Sequence, residues 1–355
     1  MSIVKLARPE IQGLRPYKAA VQVSNTIRLN ANESPISASM SPFRRPLNRY
    51  PEIRPNLLQV ELAKRFGCQQ DELLITRGSS EAIDLLIRVF CQAGIDNLLT
   101  PSPSFEMYNH YAVVQGAQHI QVATSADDDF TVDVDALIDA CNDNTKLIFV
   151  CSPNNPTGTP LPRKDLVALL KARRDKSAVV VDEAYIEFGT DESAINLFSE
   201  FPNLLVLRTL SKALGFAGAR CGAVAGPADV IAMLDAVQAP YAMATPVVEC
   251  VEDALQQDGV ARAEAAIENI VAERRRLTTA IASLSFVDKV WPSSANFFLM
   301  RVNDAEHVMQ HCSDRHILLR NFGDKLPGCI RVTVGSRDEN EQLLAALNSL
   351  QESLS

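Results

Sequence analysis

Leu204-Leu-Val-Leu-Arg-Thr209-Leu-Ser-Lys212-Ala-Leu-Gly215-Phe-Ala-Gly218-Ala-Arg220-Cys-Gly-Ala-Val-Ala225 is the stretch from which the fold can be read. Its apolar ends, residues 204–207 and 221–225, predict two strands. Between them lies one lysine among small residues. A lysine with little bulk beside it, near the end of a buried strand, is where an aldehyde can be captured as a Schiff base. The hydroxyls of Thr209 and Ser211, with Arg220, form a set that can bind a dianionic phosphate by charge-assisted bonds. Taken alone, Lys212 also fits a surface lysine in a glycine-rich turn.

Outward from this stretch, short apolar runs alternate with helical periodicity. Strands are predicted at 73–76, 97–100, 146–151 and 178–181, and helices at 80–91 and 163–174. Another helix should follow Pro55, where Leu57, Leu58, Glu61, Leu62 and Phe66 recur at helical spacing. Continuous Val/Ile/Leu runs separated by helices indicate a mostly parallel sheet buried on both faces. From about Pro246 one long helical pattern runs past Arg276, and a second α/β set follows at 296–302, 317–320 and 329–334. The first forty-odd residues are irregular and rich in Pro, Asn and Ser. The expected fold class is therefore α/β. A large domain over 45–245, its sheet sandwiched by helices, is joined by a smaller α/β domain from 1–44 and 246–355.

The formal net charge of -9 argues against nucleic acid or an anionic membrane as the main partner, so any anionic ligand must be held by local groups. The eight cysteines are scattered without a CxxC pair and mostly sit in apolar runs, which reads as reduced thiols of a cytoplasmic protein. No secretory h-region opens the chain, and no apolar stretch is long enough to span a bilayer.

Three further segments carry chemistry. Val179-Val-Val-Asp182-Glu-Ala-Tyr185 puts a carboxylate at a strand end, where it can pair with a protonated pyridine nitrogen. Tyr185 stands three residues on. Cys151-Ser-Pro-Asn154-Asn155-Pro-Thr-Gly158 is an irregular loop whose Asn amide can donate to a phenolate-like oxygen. Thr76-Arg-Gly78-Ser79-Ser80-Glu81 is a strand, a turn and a helix start, a ready phosphate site. Each has a plainer reading: a helix-capping aspartate, a turn and an ordinary N-cap. His307 and His311 sit one helical turn apart but lack the carboxylate of a zinc site, and no metal is expected. Arg274 to Arg276, beside Glu273, reads as a solvated helix face.

Together, in this order, the four segments resemble the fold type I pyridoxal-phosphate aminotransferases, and the T-L-S-K-A-L-G-x-x-G run fits their lysine signature at every position. Within that family the chain is similar to the histidinol-phosphate enzymes, through Leu29-Asn-Ala-Asn-Glu33, Asn48-Arg-Tyr-Pro51, Ala217-Gly-Ala-Arg-Cys-Gly222 and Arg331-Val-Thr-Val-Gly335. The resemblance implies pyridoxal 5′-phosphate as cofactor. It implies that Lys212 holds the cofactor and shuttles the substrate proton, that Asp182 pairs with the ring nitrogen, and that Asn155 and Tyr185 bond the ring oxygen. Phe105 would stack on the ring. Ser79, Ser80, Thr209, Ser211 and Arg220 would hold the cofactor phosphate, with Tyr50 reaching across from the partner of a homodimer. Arg320 and Arg331 would bind substrate anions, and Tyr17 and Asn32 would line the substrate pocket.

The pattern is departed from at Gly78-Ser-Ser-Glu81, where Gly-x-Asp-Glu is frequent, at Asn32-Glu-Ser-Pro35, and at Phe105, where Tyr is common. The implied reaction is transamination between a phosphorylated amino alcohol, histidinol phosphate, and a 2-oxo acid in histidine biosynthesis. The rivals are an aromatic amino-acid aminotransferase and a lyase resembling threonine-phosphate decarboxylase. A non-catalytic regulator would need a DNA-binding module for which the chain offers no candidate segment.

Overall fold

The computed structural model describes residues 2–16 and 42–354. Tyr17, Asn32 and the early loop around Pro35 lie outside the described residues. Seven strands form the larger sheet: β1 (Leu73–Thr76), β2 (Asn97–Ser102), β3 (Gln118–Ala123), β4 (Thr145–Cys151), β5 (Ala178–Asp182), β6 (Leu204–Thr209) and β7 (Gly222–Ala225). Their spatial order is β1-β7-β6-β5-β4-β2-β3, and only β7 runs against its neighbours.

Alternation explains why the central strands read as continuous apolar runs. Leu147 and Phe149 face one core while Ile148 and Val150 face the other. Leu205 and Leu207 are likewise opposed by Leu204 and Val206. Both faces are covered by helices, among them Ser79–Phe90 on one side and Arg163–Ala172 on the other. The smaller sheet is antiparallel: β8 (Val287–Val290), β9 (Phe297–Val302), β10 (Arg320–Asn321) and β11 (Cys329–Thr333), in the order β10-β11-β9-β8. Phe298, Met300, Ile330 and Val332 pack there against Leu277, Leu343 and Leu347.

The expected α/β class and the mostly parallel sheet hold; strands β3 and β8 are additional to those expected, and three expected features differ. The long helical pattern after Pro246 is two helices, Thr245–Ala254 and Gln257–Ala282. The chain turns so closely between them that a Cβ at Gly259 would meet the Ala254 carbonyl oxygen at 2.1 Å. The strand expected at 317–320 shrinks to Arg320–Asn321, preceded by His316 at φ 60°. Arg274 is not on a solvated face. It is buried, and its Nη1 donates to the carbonyls of Phe188 and Ala295. Arg276 does keep its expected surface pair with Glu273.

The start of the chain also packs on the larger sheet's core, through Ile3 and Ala7. The two sheets meet where the Ser294 N–H donates to the Gly158 carbonyl, 2.9 Å. That contact sets the first turn of the small sheet against the loop that carries Asn155.

Candidate active site

Strands β2, β4, β5 and β6 run parallel and end at one edge of the sheet. Beyond the carboxyl ends of parallel strands the backbone diverges and leaves a crevice. Here the crevice is a cleft of about 490 Å³, within the usual range for small-ligand sites. Ser79, Ser80, Phe105, Asn155, Asp182, Tyr185, Thr209, Ser211, Lys212, Arg220, Arg320 and Arg331 all line it. Residues separated by up to 252 positions in the chain are thus brought to one place.

At one end lies an anion cradle. The Thr209 hydroxyl donates to Ser211 Oγ at 3.0 Å, and Arg220 Nη1 donates to the same oxygen at 3.4 Å. Arg220 itself sits in left-handed backbone (φ 55°), an uncommon conformation for a side-chain-bearing residue that recurs at ligand sites. Its guanidinium lies against Gly78, where a Cβ would be 2.7 Å from Nη2, and Gly78 precedes the free N–H groups of helix Ser79–Phe90. Gly222 is equally constrained, since a Cβ there would meet Ser79 N at 2.8 Å.

In the middle stands Asp182, 2% exposed. Its Oδ2 accepts from the Tyr108 hydroxyl at 2.9 Å and its Oδ1 from the Ala184 N–H at 3.2 Å. Burial pushes its pKa up to about 6, against the pull of those two donors and of Lys212. Among the described residues no cation forms an ion pair with it. Lys212 Nζ lies 5.7 Å from the centre of the Tyr185 ring. Partial burial, then the charges of Arg331 and Arg220, lower its pKa. The Tyr185 hydroxyl accepts from Asn155 Nδ2 at 3.4 Å.

The far end is arginine-rich. Arg320 and Arg331 are direct partners across β10 and β11. Arg331 lies over the rings of Phe297 (5.2 Å) and Phe322 (5.5 Å), donates to Asn155 Oδ1, and has a buried Nε with no partner. Arg320 lies 6.0 Å from the centre of the Phe322 ring. Four cations, Lys212, Arg220, Arg320 and Arg331, thus offset the negative net charge locally.

Tyr50 alone of the described site candidates is elsewhere, 50% exposed and stacked on Tyr241 at 4.7 Å. Tyr108 and Phe322 were not anticipated. Tyr108 acts through Asp182, 74 positions away, and Phe322 lies between the two arginines it meets, Arg320 and Arg331, with no polar pattern of its own to mark it. Of the two histidines, His311 has its Nε2 3.0 Å from both the Ala346 carbonyl and Ser349 Oγ.

Residues 24–347 match the family model described as aminotransferase class I and II. A histidinol-phosphate aminotransferase of Pectobacterium carotovorum is 39% identical over 98% of both chains. The histidinol-phosphate aminotransferase of Sinorhizobium meliloti, solved with pyridoxal-5′-phosphate, superposes with a TM-score of 0.78 at 23% identity, covering 87% of this chain and 84% of that one. An L-threonine-O-3-phosphate decarboxylase from Porphyromonas gingivalis also superposes, with a TM-score of 0.72 at 24% identity over 86% and 91%. Fold alone therefore does not choose the reaction.

Proposed function

The chain belongs to the class I and II aminotransferases, and we propose that it moves an amino group between L-histidinol phosphate and 2-oxoglutarate, with pyridoxal 5′-phosphate as cofactor. The observation that carries the substrate is the pairing of Arg320 with Arg331 in the cleft that holds Lys212. Full-length identity to histidinol-phosphate enzymes supports the same choice over the lyase reading.

The residues suit that cofactor at both ends. The cradle of Thr209, Ser211, Arg220, Ser79 and Ser80 fits a phosphate, while Asp182 is a buried carboxylate lacking a cation. When bound, pyridoxal phosphate supplies an aldehyde and an electron-withdrawing pyridinium. Asp182 would hold the proton on the ring nitrogen, and Asn155 and Tyr185 would donate to the ring oxygen. Phe105 walls one side of the cleft and is the candidate for stacking. Lys212 Nζ would hold the cofactor through its aldehyde, and would be the base that carries the proton from the carbon bearing the substrate's amino group. Its lowered pKa keeps more of the amine in the free form near neutral pH. Two such half-reactions give ping-pong kinetics. In this reading 45–245 forms the cofactor-binding unit and 246–355 brings the substrate arginines.

Histidinol phosphate has a phosphate and no carboxylate, so both arginines can clamp it by bidentate bonds. Glutamate offers a carboxylate for Arg331. Arg320→Ala should raise the KM for histidinol phosphate by about tenfold to a hundredfold, the worth of one charge-assisted contact, and that for glutamate less. Steady-state kinetics on both substrates check this. Equal losses, or wild-type turnover of phenylalanine above that of histidinol phosphate, would favour the aromatic aminotransferase.

We further propose a homodimer whose active sites are shared. Tyr50 lies outside its own chain's cleft with an exposed ring, as suits a residue serving a second copy. Mixing inactive Lys212→Ala with impaired Tyr50→Ala subunits should restore part of the activity through hybrid dimers. A mixture no more active than its components would count against sharing. The cytoplasm is the compartment that suits eight free cysteines, and among the described residues no helix is long and apolar enough to cross a membrane.

A further inference from the structure

Tyr108 is fully buried on helix Met107–Gln115 and does not line the cleft. Its ring is stacked on Phe149 at 4.8 Å and set edge-on to Phe105 at 5.7 Å, so its hydroxyl is held in place by packing. The one proton of that hydroxyl goes to Asp182 Oδ2 at 2.9 Å. We propose that Tyr108 is a positioning residue of the cofactor site, fixing the Asp182 carboxylate and keeping it in the ionised form that a pyridinium requires. The inference rests on the reading of Asp182 as the partner of the ring nitrogen.

The surroundings of Asp182 explain why one hydroxyl matters. Among the described residues the titratable groups facing it are Tyr108, Cys151 at the end of β4, Tyr185 beyond β5, and Lys212 beyond β6. Burial raises the pKa of Cys151 and of both tyrosines, so these stay neutral and bring no positive charge. Lys212 is the only cation of the four, and it makes no ion pair with Asp182. Ionisation of a carboxylate this buried then depends on neutral donors, of which Asp182 has two. The other donor is the N–H of Ala184, which side-chain substitution cannot remove. Tyr108 is thus the adjustable one.

Tyr108→Phe keeps the ring contacts and removes the donor. Tyr108 stabilises the carboxylate, so its loss moves Asp182 titration upward from about 6. At pH values between the old and new midpoints the variant then presents a protonated acid to the cofactor.

The test is the dissociation constant of pyridoxamine 5′-phosphate, which cannot react with Lys212, measured by calorimetry on the full chain freed of cofactor across the pH range. Phosphate and ring titrations are common to both proteins and cancel in the ratio of variant to wild type. For a shift of one pKa unit that ratio should be about fivefold near pH 6, should approach tenfold at lower pH, and should close toward one above about pH 8. A ratio that is constant with pH, whatever its size, would mean a purely structural role and overturn the inference. Asp182→Asn separates the two levels of the argument. If that variant keeps the wild-type pH profile, Asp182 does not face the ring nitrogen, and the reading beneath the inference fails with it.

Discussion

Lys212→Ala should lower turnover by about 10⁴-fold or more while the purified variant still binds the cofactor. The loss is large because one amine is assigned two tasks. It would be both the group that holds the cofactor aldehyde and the base at the substrate carbon. A well-placed proton carrier alone is worth about 10²–10⁴-fold. Among the described residues no other lysine lines the cleft. Binding should survive, because the cradle of Ser79, Ser80, Thr209, Ser211 and Arg220 is untouched by the substitution. Added amines such as methylamine should restore part of the rate by standing in for the missing base. A variant with a tenth or more of wild-type turnover would remove Lys212 from both roles.

Asp182→Asn should separate chemistry from binding. In the ground state the carboxylate contributes one charge-assisted hydrogen bond, on the order of 1.5–3 kcal/mol. Bound cofactor would supply a ring that accepts charge as the proton leaves the substrate carbon, and Asp182 would matter most there by keeping the ring nitrogen protonated. Removing a group aimed at developing charge typically costs about 10²–10³-fold in rate, which is the drop expected in kcat here. Affinity for the cofactor should fall much less. Stopped-flow measurement of the half-reaction isolates the step. Near-normal rates would leave Asp182 as no more than a cap for the turn at Ala184, whose N–H it accepts.

What the sequence shows and what it hides divide along physical lines. Lys212, Asp182 and Asn155 follow strands whose apolar runs are unmistakable, and each is announced by small or turn-forming neighbours within a few positions. The parallel order of those strands then delivers them to one edge. Arg320 and Arg331 could be placed on adjoining strands, although the first strand proved only two residues long.

Tyr108 was hidden for the opposite reason. Its partner Asp182 lies 74 positions away, and an aromatic at a helix start carries no local mark of a polar task. Arg274 misled because its neighbours Glu273 and Arg276 are a surface pair, while its own guanidinium turns inward to two backbone carbonyls. The break before Gly259 was masked by uninterrupted helical periodicity on both sides. Strand β3, with the pattern Gln-His-Ile-Gln-Val-Ala, is an edge strand of mixed exposure and lacks the apolar run that marked its neighbours.

The central claim, that the cofactor is carried on Lys212 in the cleft at the sheet's carboxyl edge, has one direct measurement. Protein incubated with pyridoxal 5′-phosphate should be yellow, and borohydride should bleach it while fixing the cofactor to the chain. Digestion and mass spectrometry should then find the added mass on the peptide containing Lys212 and on no other lysine. A protein that gains no absorption band, or an adduct confined to a lysine outside the cleft, would contradict the account.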